Sequence, residues 1–438
     1  MTVSISEETY DRSASQTPDI PDTMRALVLD GVGFERLHIA RVPTPRPGPR
    51  QMLARVDAAG ICTSLIKLVE QGPAHRFLYG WDITCHPLIL GDEGSVTLVQ
   101  VGEELRDRYH PGQRYVIQPA VDHPPINHCE RYQDGGRGIE KIAVGYTLPG
   151  HLAEYILISE EVMAAGCLIS MPDESLPYAH AALAEPLSCV VSAQDHHVHL
   201  LQQNPGTPRD VIKGLKPGGV TVIIGAGAMG RMHVDLALSY RPRAIVAADL
   251  IEKRLELTRH LMTTRAQALG VALHVVNPAA TDLQKLLVDL TDGRGADDVI
   301  VAVGSRQAIE TAQHYGGRGA VLNLFGGLKS GEDVVRLDTG IVHYLEINVT
   351  GSSGGSPWDV ARTLELMAAG EITAGKHISL IGDLDHAVEF LEMVKAQRID
   401  GKAVVYPHRR NNEILSIPSW SSQDERAYLQ TGESDPWH

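Results

Sequence analysis

The sequence predicts an α/β protein in which a β-rich domain precedes a doubly wound parallel sheet. Short runs of aliphatic and β-branched residues, separated by Gly and Pro, fill residues 24–155, as in a domain of short strands. From about Leu187 strands alternate with helices, which is typical of a parallel sheet covered by helices. A glycine-rich segment, residues 219–249, lies near the start of this second part.

The individual elements follow from apolar runs of strand length. The predicted strands of the first domain are MRALVLD, MLARVDAAG, SVTLVQVG, QRYVIQPA and HLAEYILI. The predicted strands of the second domain are residues 220–224, 244–248, 273–276, 298–303, 320–325 and 346–350. Helices are expected over 358–369 and 384–397, and a strand over 401–407 ends the folded part. Six strands with helices between them predict a complete nucleotide-binding sheet.

Composition excludes several classes of protein. The chain has 438 residues, of which 43% are apolar and 21% charged, as expected for two or three globular domains. The formal net charge of −15 argues against a nucleic-acid partner. No apolar run reaches membrane-spanning length, and the polar start of the chain predicts a disordered lead over 1–23 with no secretory signal. Five cysteines without paired spacing favour a reducing compartment, so a cytoplasmic location is expected.

The glycine-rich segment predicts a dinucleotide site. Gly225, Gly227 and Gly230 form G-x-G-x-x-G between a strand and a helix, where backbone can approach a pyrophosphate. Asp249 follows Gly230 by about 20 residues, the place of a carboxylate that binds the ribose hydroxyls. That acid favours NAD over NADP, although the nearby Arg254 leaves NADP open. The predicted cofactor-binding residues are Gly225, Gly227, Ala228, Met229, Gly230, Asp249, Arg254, Val303 and Phe325.

Two segments leave alternatives open. Residues 191–218 are an insertion with clustered histidines, for which we expect a solvated or interface helix in preference to a metal site. Consecutive histidines such as His196 and His197 point in different directions and cannot easily share a metal. Residues 409–438 are expected to form a C-terminal tail. Its Trp420 and Trp437 would either anchor it on a neighbouring surface or lie in a partly disordered segment.

Four upstream segments carry groups suited to chemistry. They are GICTS (60–64), HPLILGDEG (86–94), GYTLPGHLAEY (145–155) and AEPLSC (184–189). Their order resembles the zinc-dependent medium-chain dehydrogenase/reductase superfamily, which includes alcohol and sorbitol dehydrogenases, over residues 24–407. Glu185 in E-P-L resembles the polyol branch. The insertion and the segment 350–355 resemble sugar-phosphate reductases of the L-sorbose-1-phosphate type.

The resemblance implies a fold, cofactors and partners. It implies a GroES-like catalytic domain over 24–187, completed by 352–408, and a six-stranded Rossmann domain over 188–351, with the active site in the cleft between them. It further implies NAD, with NADP possible, and zinc. The reaction expected is hydride transfer between the CH–OH group of a polyol or sugar and its ketone. The substrate would be a small polyol or ketose, free or phosphorylated, and the enzyme a homodimer or homotetramer.

The resemblance also assigns residues. Cys62 matches the thiolate ligand of the metal, and Ser64 matches the hydroxyl that exchanges a proton with the substrate. Asp92 stands where the family has a histidine ligand, and Glu93 matches the acid that follows it. Glu185 matches the remaining ligand, bound directly or through water. The predicted metal ligands are Cys62, Asp92, Glu93 and Glu185, and the predicted catalytic residues are Ser64, Glu93 and Lys67.

Several positions depart from the family pattern. Leu65 replaces an aspartate that orients the ligand histidine, and a carboxylate at position 92 has no ring N–H that needs such a partner. Lys67 replaces the histidine that ends the proton relay. Cys129 stands alone where the family has a four-cysteine structural zinc site. A metal-independent reductase and a non-catalytic NAD-binding protein therefore remain alternatives.

Other side chains near these segments are weaker candidates. Cys85, His86 and His151 could touch the metal or the substrate. A phosphorylated substrate would require Arg or Lys in the site, for which Lys67 and Arg76 are candidates.

Overall fold

A computed structural model of the chain describes residues 20–122, 131, 139, 141–328, 331–410 and 413–430. Most of the predicted lead, as well as Cys129 and Trp437, lies outside these residues. The chain forms two compact units. The first unit runs to Glu185 and includes Ser356–Ala369 and the chain from Ala374 onward, whereas the second comprises Pro186–Gly355 and Gly370–Thr373. No helix in the described residues has the length and apolar character needed to cross a membrane.

The elements up to residue 183 are β1 (Thr23–Leu29), β2 (Leu37–Pro43), β3 (Met52–Gly60), α1 (Ser64–Gln71), β4 (Leu88–Ile89), β5 (Glu93–Val101), β6 (Arg114–Ile117), β7 (Ala120–Val121), β8 (Ile142–Ala143), β9 (Tyr155–Ile158), α2 (Glu160–Ala164), β10 (Leu168–Ser170) and α3 (Tyr178–Ala182). Those up to residue 351 are α4 (Ala184–Asp195), β11 (Val198–Leu201), β12 (Asp210–Lys213), β13 (Val220–Ile224), α5 (Ala228–Ser239), β14 (Ala244–Ala248), α6 (Glu252–Ala268), β15 (Ala272–Val276), α7 (Leu283–Thr291), β16 (Ala296–Val301), α8 (Arg306–Ala312), β17 (Gly316–Leu324), α9 (Thr339–Tyr344) and β18 (Asn348–Gly351). The last are α10 (Pro357–Ala368), β19 (Ile378–Asp383), α11 (Ala387–Lys395), β20 (Lys402–Tyr406), β21 (Leu415–Ser416) and α12 (Ser422–Gln430).

The first unit is built on a largely antiparallel sheet. Its described strands follow the order β10-β6-β5-β3-β20-β19-β21, with β9 also paired to β3. Aliphatic side chains from β3, β5 and α1 form its main core. In the register of the central strands, Gly60 of β3 lies opposite Glu93 of β5 on one side and Val404 of β20 on the other. The end of β3, the start of β5 and the middle of β20 therefore meet at one place.

The second unit contains a parallel sheet with both faces buried. Its described strands follow the order β15-β14-β13-β16-β17-β18. This is the 3-2-1-4-5-6 order of dinucleotide-binding sheets, in which the order reverses beside the first strand. Successive residues of β13 pack into separate cores, with Val222 on one face of the sheet and Ile223 on the other. The predicted fold class, a β-rich GroES-like domain with a six-stranded doubly wound sheet, is confirmed.

The prediction for the insertion 191–218 is wrong. Helix α4 ends at Asp195, and a β-hairpin of β11 and β12 follows, so there is no solvated helix. His197 and His199 are buried. His197 lies just before β11 and His199 lies within it, so the two side chains, two residues apart, point to the same side. The prediction considered only the consecutive pair His196 and His197.

The C-terminal segment packs on the first unit over its described residues. Trp420 is buried, and its indole N–H donates to the Tyr406 hydroxyl at 2.8 Å. Glu425 of α12 is fully buried and accepts hydrogen bonds from the backbone N–H groups of Tyr178 and Ala179. These groups begin α3, where a carboxylate satisfies free N–H donors. Of the two alternatives for the tail, Trp420 therefore anchors it on a neighbouring surface.

Candidate active site

Strand pairing brings Glu93 and Lys402 together. A Cβ at Gly60 would lie 2.1 Å from Glu93 Oε2, so only glycine leaves room for this carboxylate to cross β3. On the far side, Lys402 Nζ lies 2.5 Å from Glu93 Oε1, and both side chains are buried. The pair joins residues of β5 and β20 across the central strand. Lys402 was missed in the sequence, because nothing local to its strand indicates a partner more than 300 residues away.

Cys62 and Asp92 lie beside this pair. Strand β3 ends at Gly60 and α1 begins at Ser64, so Cys62 occupies the tight turn between them. Asp92 immediately precedes β5. Cys62, Asp92 and Glu93 each offer one ligand atom, and these three atoms lie within 4.8 Å of one another. Three of the four predicted metal ligands are thus brought together.

The hydrogen bonds of the two carboxylates leave one oxygen of each without a partner. Ser64 Oγ donates to Asp92 Oδ2 at 2.6 Å, and Lys402 occupies Glu93 Oε1. Among the described residues, Asp92 Oδ1 and Glu93 Oε2 are buried without a hydrogen-bond donor. Buried carboxylate oxygens without a donor are costly unless a cation binds them. Beside a cysteine sulfur they form a donor set that fits a divalent metal such as zinc.

The protonation of this cluster depends on its burial. Burial, followed by the charges of Asp92 and Glu93, raises the pKa of the Cys62 thiol well above its ordinary value. Burial and the neighbouring Glu93 raise the pKa of Asp92 to about 6. Burial lowers the pKa of Lys402, but the charges of Glu93 and Cys62 outweigh it and the net shift is upward. Without a bound cation the Cys62 thiol therefore keeps its proton, which metal binding would displace.

Two further side chains belong to the surroundings of the cluster. Glu185 is buried, is not a member of the group of three, and raises the pKa of the Cys62 thiol through its charge. Tyr146 is also buried. Burial and the Asp92 charge raise the pKa of its phenol, and a hydrogen bond with the Ser64 side chain opposes this rise. Tyr146 lies in the 145–155 segment but was not singled out, because tyrosines are common in apolar cores.

The weaker candidates lie outside the group of three. His151 is buried, and its Nδ1 lies 3.1 Å from the Gly91 carbonyl oxygen. This hydrogen bond helps to position the loop that precedes Asp92. Burial lowers the pKa of His151 to about 4, so the ring is neutral and donates this bond. Cys85 is exposed, and the His86 ring packs edge-on to Trp81.

The glycine loop of the second unit has the geometry of a phosphate-binding turn. Gly225 has a φ of +101°, and Gly227 is the N-cap of α5, with no side chain capping that end among the described residues. A Cβ at Gly230 would lie 1.8 Å from the Gly225 carbonyl oxygen, so glycine is required for the helix to approach the strand. A Cβ at Gly227 would meet nothing within 4 Å. Protein packing does not require glycine there, which fits a turn kept open for a dinucleotide pyrophosphate.

Asp249 is engaged with the same loop. Its Oδ2 accepts from the Ala226 N–H at 2.7 Å and its Oδ1 from the Ile251 N–H at 2.9 Å. Each oxygen retains a lone pair, so binding of ribose hydroxyls remains available. Arg254 Nη1 lies 3.8 Å from the carboxylate.

The other predicted cofactor residues lie near the carboxyl ends of the central strands. Ala228 and Met229 form the first turn of α5. Val303 follows β16 and would lie 3.3 Å from a Cβ at Gly225. Phe325 follows β17 and packs its ring edge-on to His233, with centroids 4.5 Å apart. Val303 therefore borders the glycine loop, whereas Phe325 contributes to the core under α5.

Known proteins resemble this chain over both units. The Alcohol dehydrogenase GroES-like domain family matches residues 48–171, and the Zinc-binding dehydrogenase family matches residues 228–369. The chain is 30% identical to Mannitol-1-phosphate 5-dehydrogenase of Aliivibrio fischeri, over 86% of this chain and 85% of that protein. It is 30% identical to L-sorbose 1-phosphate reductase of Klebsiella pneumoniae, over 95% of this chain and 99% of that protein.

A solved structure supports the fold. A zinc-binding dehydrogenase from Sinorhizobium meliloti bound to NADP superposes with a TM-score of 0.68 at 23% identity, over 88% of this chain and 100% of that one. Membership in this family makes zinc and NAD(P) the expected cofactors. From the two family matches and the two relatives at 30% identity, the chain belongs to the zinc-type medium-chain dehydrogenase superfamily and is an oxidoreductase of the alcohol and polyol dehydrogenase type.

Proposed function

We propose that the protein interconverts a hydroxyl of a polyol or sugar and the corresponding ketone, with NAD(H) as the hydride carrier. Cys62, Asp92 and Glu93 would hold the metal, with Glu185 as a fourth ligand, bound directly or through water. The observation that carries the proposal is the pair of buried carboxylate oxygens without a donor, on Asp92 and Glu93, beside the Cys62 thiol. Such a donor set is rich in oxygen but lies within the range that zinc accepts.

A divalent metal held there supplies Lewis acidity toward an alcohol or carbonyl oxygen. The protein's own groups handle the proton. Ser64 donates its hydroxyl hydrogen to Asp92, so Ser64 Oγ can only accept from the Tyr146 phenol, and one lone pair is left to accept a hydrogen bond from the substrate hydroxyl. Lys402 neutralises one carboxylate of an otherwise strongly anionic ligand set. A less negative ligand set leaves the metal a stronger Lewis acid.

The second unit would supply the hydride carrier. Its open turn at Gly227 suits a pyrophosphate, and the Asp249 carboxylate suits two ribose hydroxyls. A 2′-phosphate would meet the Asp249 charge, which favours NAD, while Arg254 beside it moderates this preference. The ratio of kcat/KM for NAD to that for NADP measures the choice directly.

The names of two relatives support the proposed substrate class. The two proteins that match at 30% identity are named for a hexitol phosphate and a ketose phosphate, so a small polyol or ketose is proposed here. A homodimer or homotetramer and a cytoplasmic location stay predictions.

Metal analysis combined with a substrate panel tests the proposal. Purified protein is expected to contain bound metal and to reduce NAD with at least one polyol or sugar phosphate. Cys62→Ala should lose both metal and activity, while Cys85→Ala, at an exposed cysteine outside the cluster, should keep both. Full activity in metal-free wild-type protein would refute the metal-dependent mechanism and favour a metal-independent reductase.

A further inference from the structure

One basic side chain lies within a helical turn of Ser64, and two more follow after the helix. Lys67 is three residues further along α1, so both side chains lie on one helix face. His75 and Arg76 follow in the turn after the helix. Lys67 and Arg76 are exposed, and within the described ranges neither has a salt bridge or a hydrogen bond through its side chain. Unpaired cations are notable in a chain of net charge −15.

Ring contacts connect two members of this group, His75 and Arg76, through Phe77. The His75 ring lies 5.8 Å from that of Phe77, and the Arg76 guanidinium lies 5.2 Å over the Phe77 ring. Burial, followed by the charges of Lys67 and Arg76, lowers the pKa of His75. Both cations therefore act on the same imidazole. The side chains of Lys67 and Arg76 therefore lie near the His75 ring.

Tyr146 connects this group to the metal cluster. Its ring lies 5.5 Å from the His75 ring and 5.8 Å, edge-on, from that of Phe77. The preceding Gly145 packs against the other segment, since a Cβ there would lie 2.9 Å from the Asp92 backbone nitrogen. The phenol thus lies between the basic group and the residues proposed to hold the reacting oxygen.

We propose that Lys67, His75 and Arg76 form a subsite for a phosphate group on the substrate, a phosphate monoester of the polyol or ketose; this rests on the function proposed above. Lys67 acts as a point charge, and the Arg76 fork binds two phosphate oxygens. His75 Nδ1 accepts from the Phe77 N–H at 3.2 Å, so the neutral ring carries its hydrogen on Nε2 as a third donor. Lys67 is thereby assigned to substrate binding and not to the end of a proton relay.

The position of the subsite suits such a substrate. A phosphate carried on a carbon next to the reacting one lies only a few bonds from the oxygen at Ser64. The distance from Ser64 to Lys67 along α1 is less than one helical turn, about 5 Å. An unphosphorylated polyol would leave the two cations without a counter-charge. The geometry therefore predicts selection for the phosphate ester.

The experiment compares each sugar alcohol with its own phosphate ester. Wild-type holoenzyme is expected to prefer the ester, and Arg76→Ala should lower the ratio of the two kcat/KM values by roughly 10- to 100-fold. Lys67→Met should lower the ratio in the same direction. Arg108→Ala is the matched control, because Arg108 is also exposed and lies 5.7 Å over the ring of Tyr109.

Binding of inorganic phosphate, followed by calorimetry and by competitive inhibition, provides a readout independent of turnover. Its dissociation constant should rise in Arg76→Ala and Lys67→Met and stay unchanged in Arg108→Ala. An unchanged ratio and unchanged phosphate binding in both variants of the subsite would overturn the inference while leaving the proposed function intact. If the wild-type protein turned over no polyol or sugar phosphate, the proposed function would be refuted. The binding of inorganic phosphate to the wild type and the variants would still show whether the subsite exists.

Discussion

Two buried clusters of this protein contain similar groups but satisfy them differently. The thiolate cluster of the first unit consists of Cys62, Asp92 and Glu93, and the imidazole cluster of the second unit consists of His197, His199 and Asp298. In each, the potential ligand atoms lie within 4.8 Å of one another. In the imidazole cluster both carboxylate oxygens of Asp298 have donors. Its Oδ1 lies 2.6 Å and 2.9 Å from the two histidines, and its Oδ2 accepts from the Lys216 N–H at 2.9 Å.

The carboxyl groups of the two clusters titrate in opposite directions. Burial disfavours the charge of Asp298, but hydrogen bonds from His197 and His199 outweigh it and lower its pKa to about 2. Burial and Glu93 instead raise the pKa of Asp92 to about 6. The imidazole cluster stabilises its own anion, whereas the thiolate cluster leaves one oxygen of each carboxylate without a donor, as expected of the proposed metal site. Proximity of ligand types therefore does not distinguish the two clusters, whereas carboxylate oxygens without a donor occur in the thiolate cluster and not on Asp298.

The largest expected effect is a difference in metal content between a variant of the thiolate cluster and a variant of the imidazole cluster. Asp92→Asn removes a charged ligand and should abolish stoichiometric metal binding, with a loss of activity of about 10³-fold or more, since a bound metal supplies several kcal/mol. Asp298→Asn should leave the metal content unchanged. Elemental analysis and kcat/KM of both variants provide the measurement. Metal retained in Asp92→Asn but lost in Asp298→Asn would reverse the assignment.

The dinucleotide unit was the more predictable from sequence, because its determinants are local. Strands 220–224 and 244–248 coincide with β13 and β14, and the glycines lie between β13 and α5 as expected. A buried parallel strand is a continuous apolar run, and the turn that follows it needs glycine within a few residues. No contact distant in sequence is needed to recognise this pattern.

The unit with the proposed metal site was only partly predictable, because long-range strand pairing completes its cluster. Cys62, Asp92 and Glu93 could be named from the family resemblance. Lys402 could not, since it reaches Glu93 only through the register of β5, β3 and β20. The buried pair His197 and His199 was missed because a hairpin in an insertion leaves few local signals of its burial.

Breaking the Glu93–Lys402 pair should have the largest effect on stability. Lys402→Met leaves Glu93 buried without a counter-charge and should cost about 3–5 kcal/mol. Lys402→Arg retains the charge and serves as the control, with a smaller loss caused by the larger head group. Hydrogen exchange of the β20 amides measures the change. Wild-type protection in Lys402→Met would show that Lys402 does not stabilise the cluster.

Removing the Asp298 charge should destabilise the second unit less. Asp298→Asn weakens the bonds from two imidazoles and one N–H, for an expected cost of about 2–3 kcal/mol. Faster hydrogen exchange should be concentrated in β11 and β12, because the two histidines tie that hairpin to β16. Thr281→Ala, at a half-buried bend of the same unit, is the control variant. Exchange that increases uniformly over the whole unit would argue against this local anchoring.

The smallest expected effect is the acid dependence of that anchoring. A carboxyl pKa lowered from 3.8 to about 2 on folding contributes about 2 kcal/mol of stability, present in full above pH 3.8 and lost as the pH falls through about 2. Asp298→Asn lacks this group, so the stability difference between wild type and variant should narrow as the pH falls from 5 to 2. Denaturant unfolding of both proteins at each pH measures it. A difference that stays constant over this range would mean that the imidazole cluster does not hold Asp298 as an anion, and the contrast with the thiolate cluster would then lose its electrostatic basis.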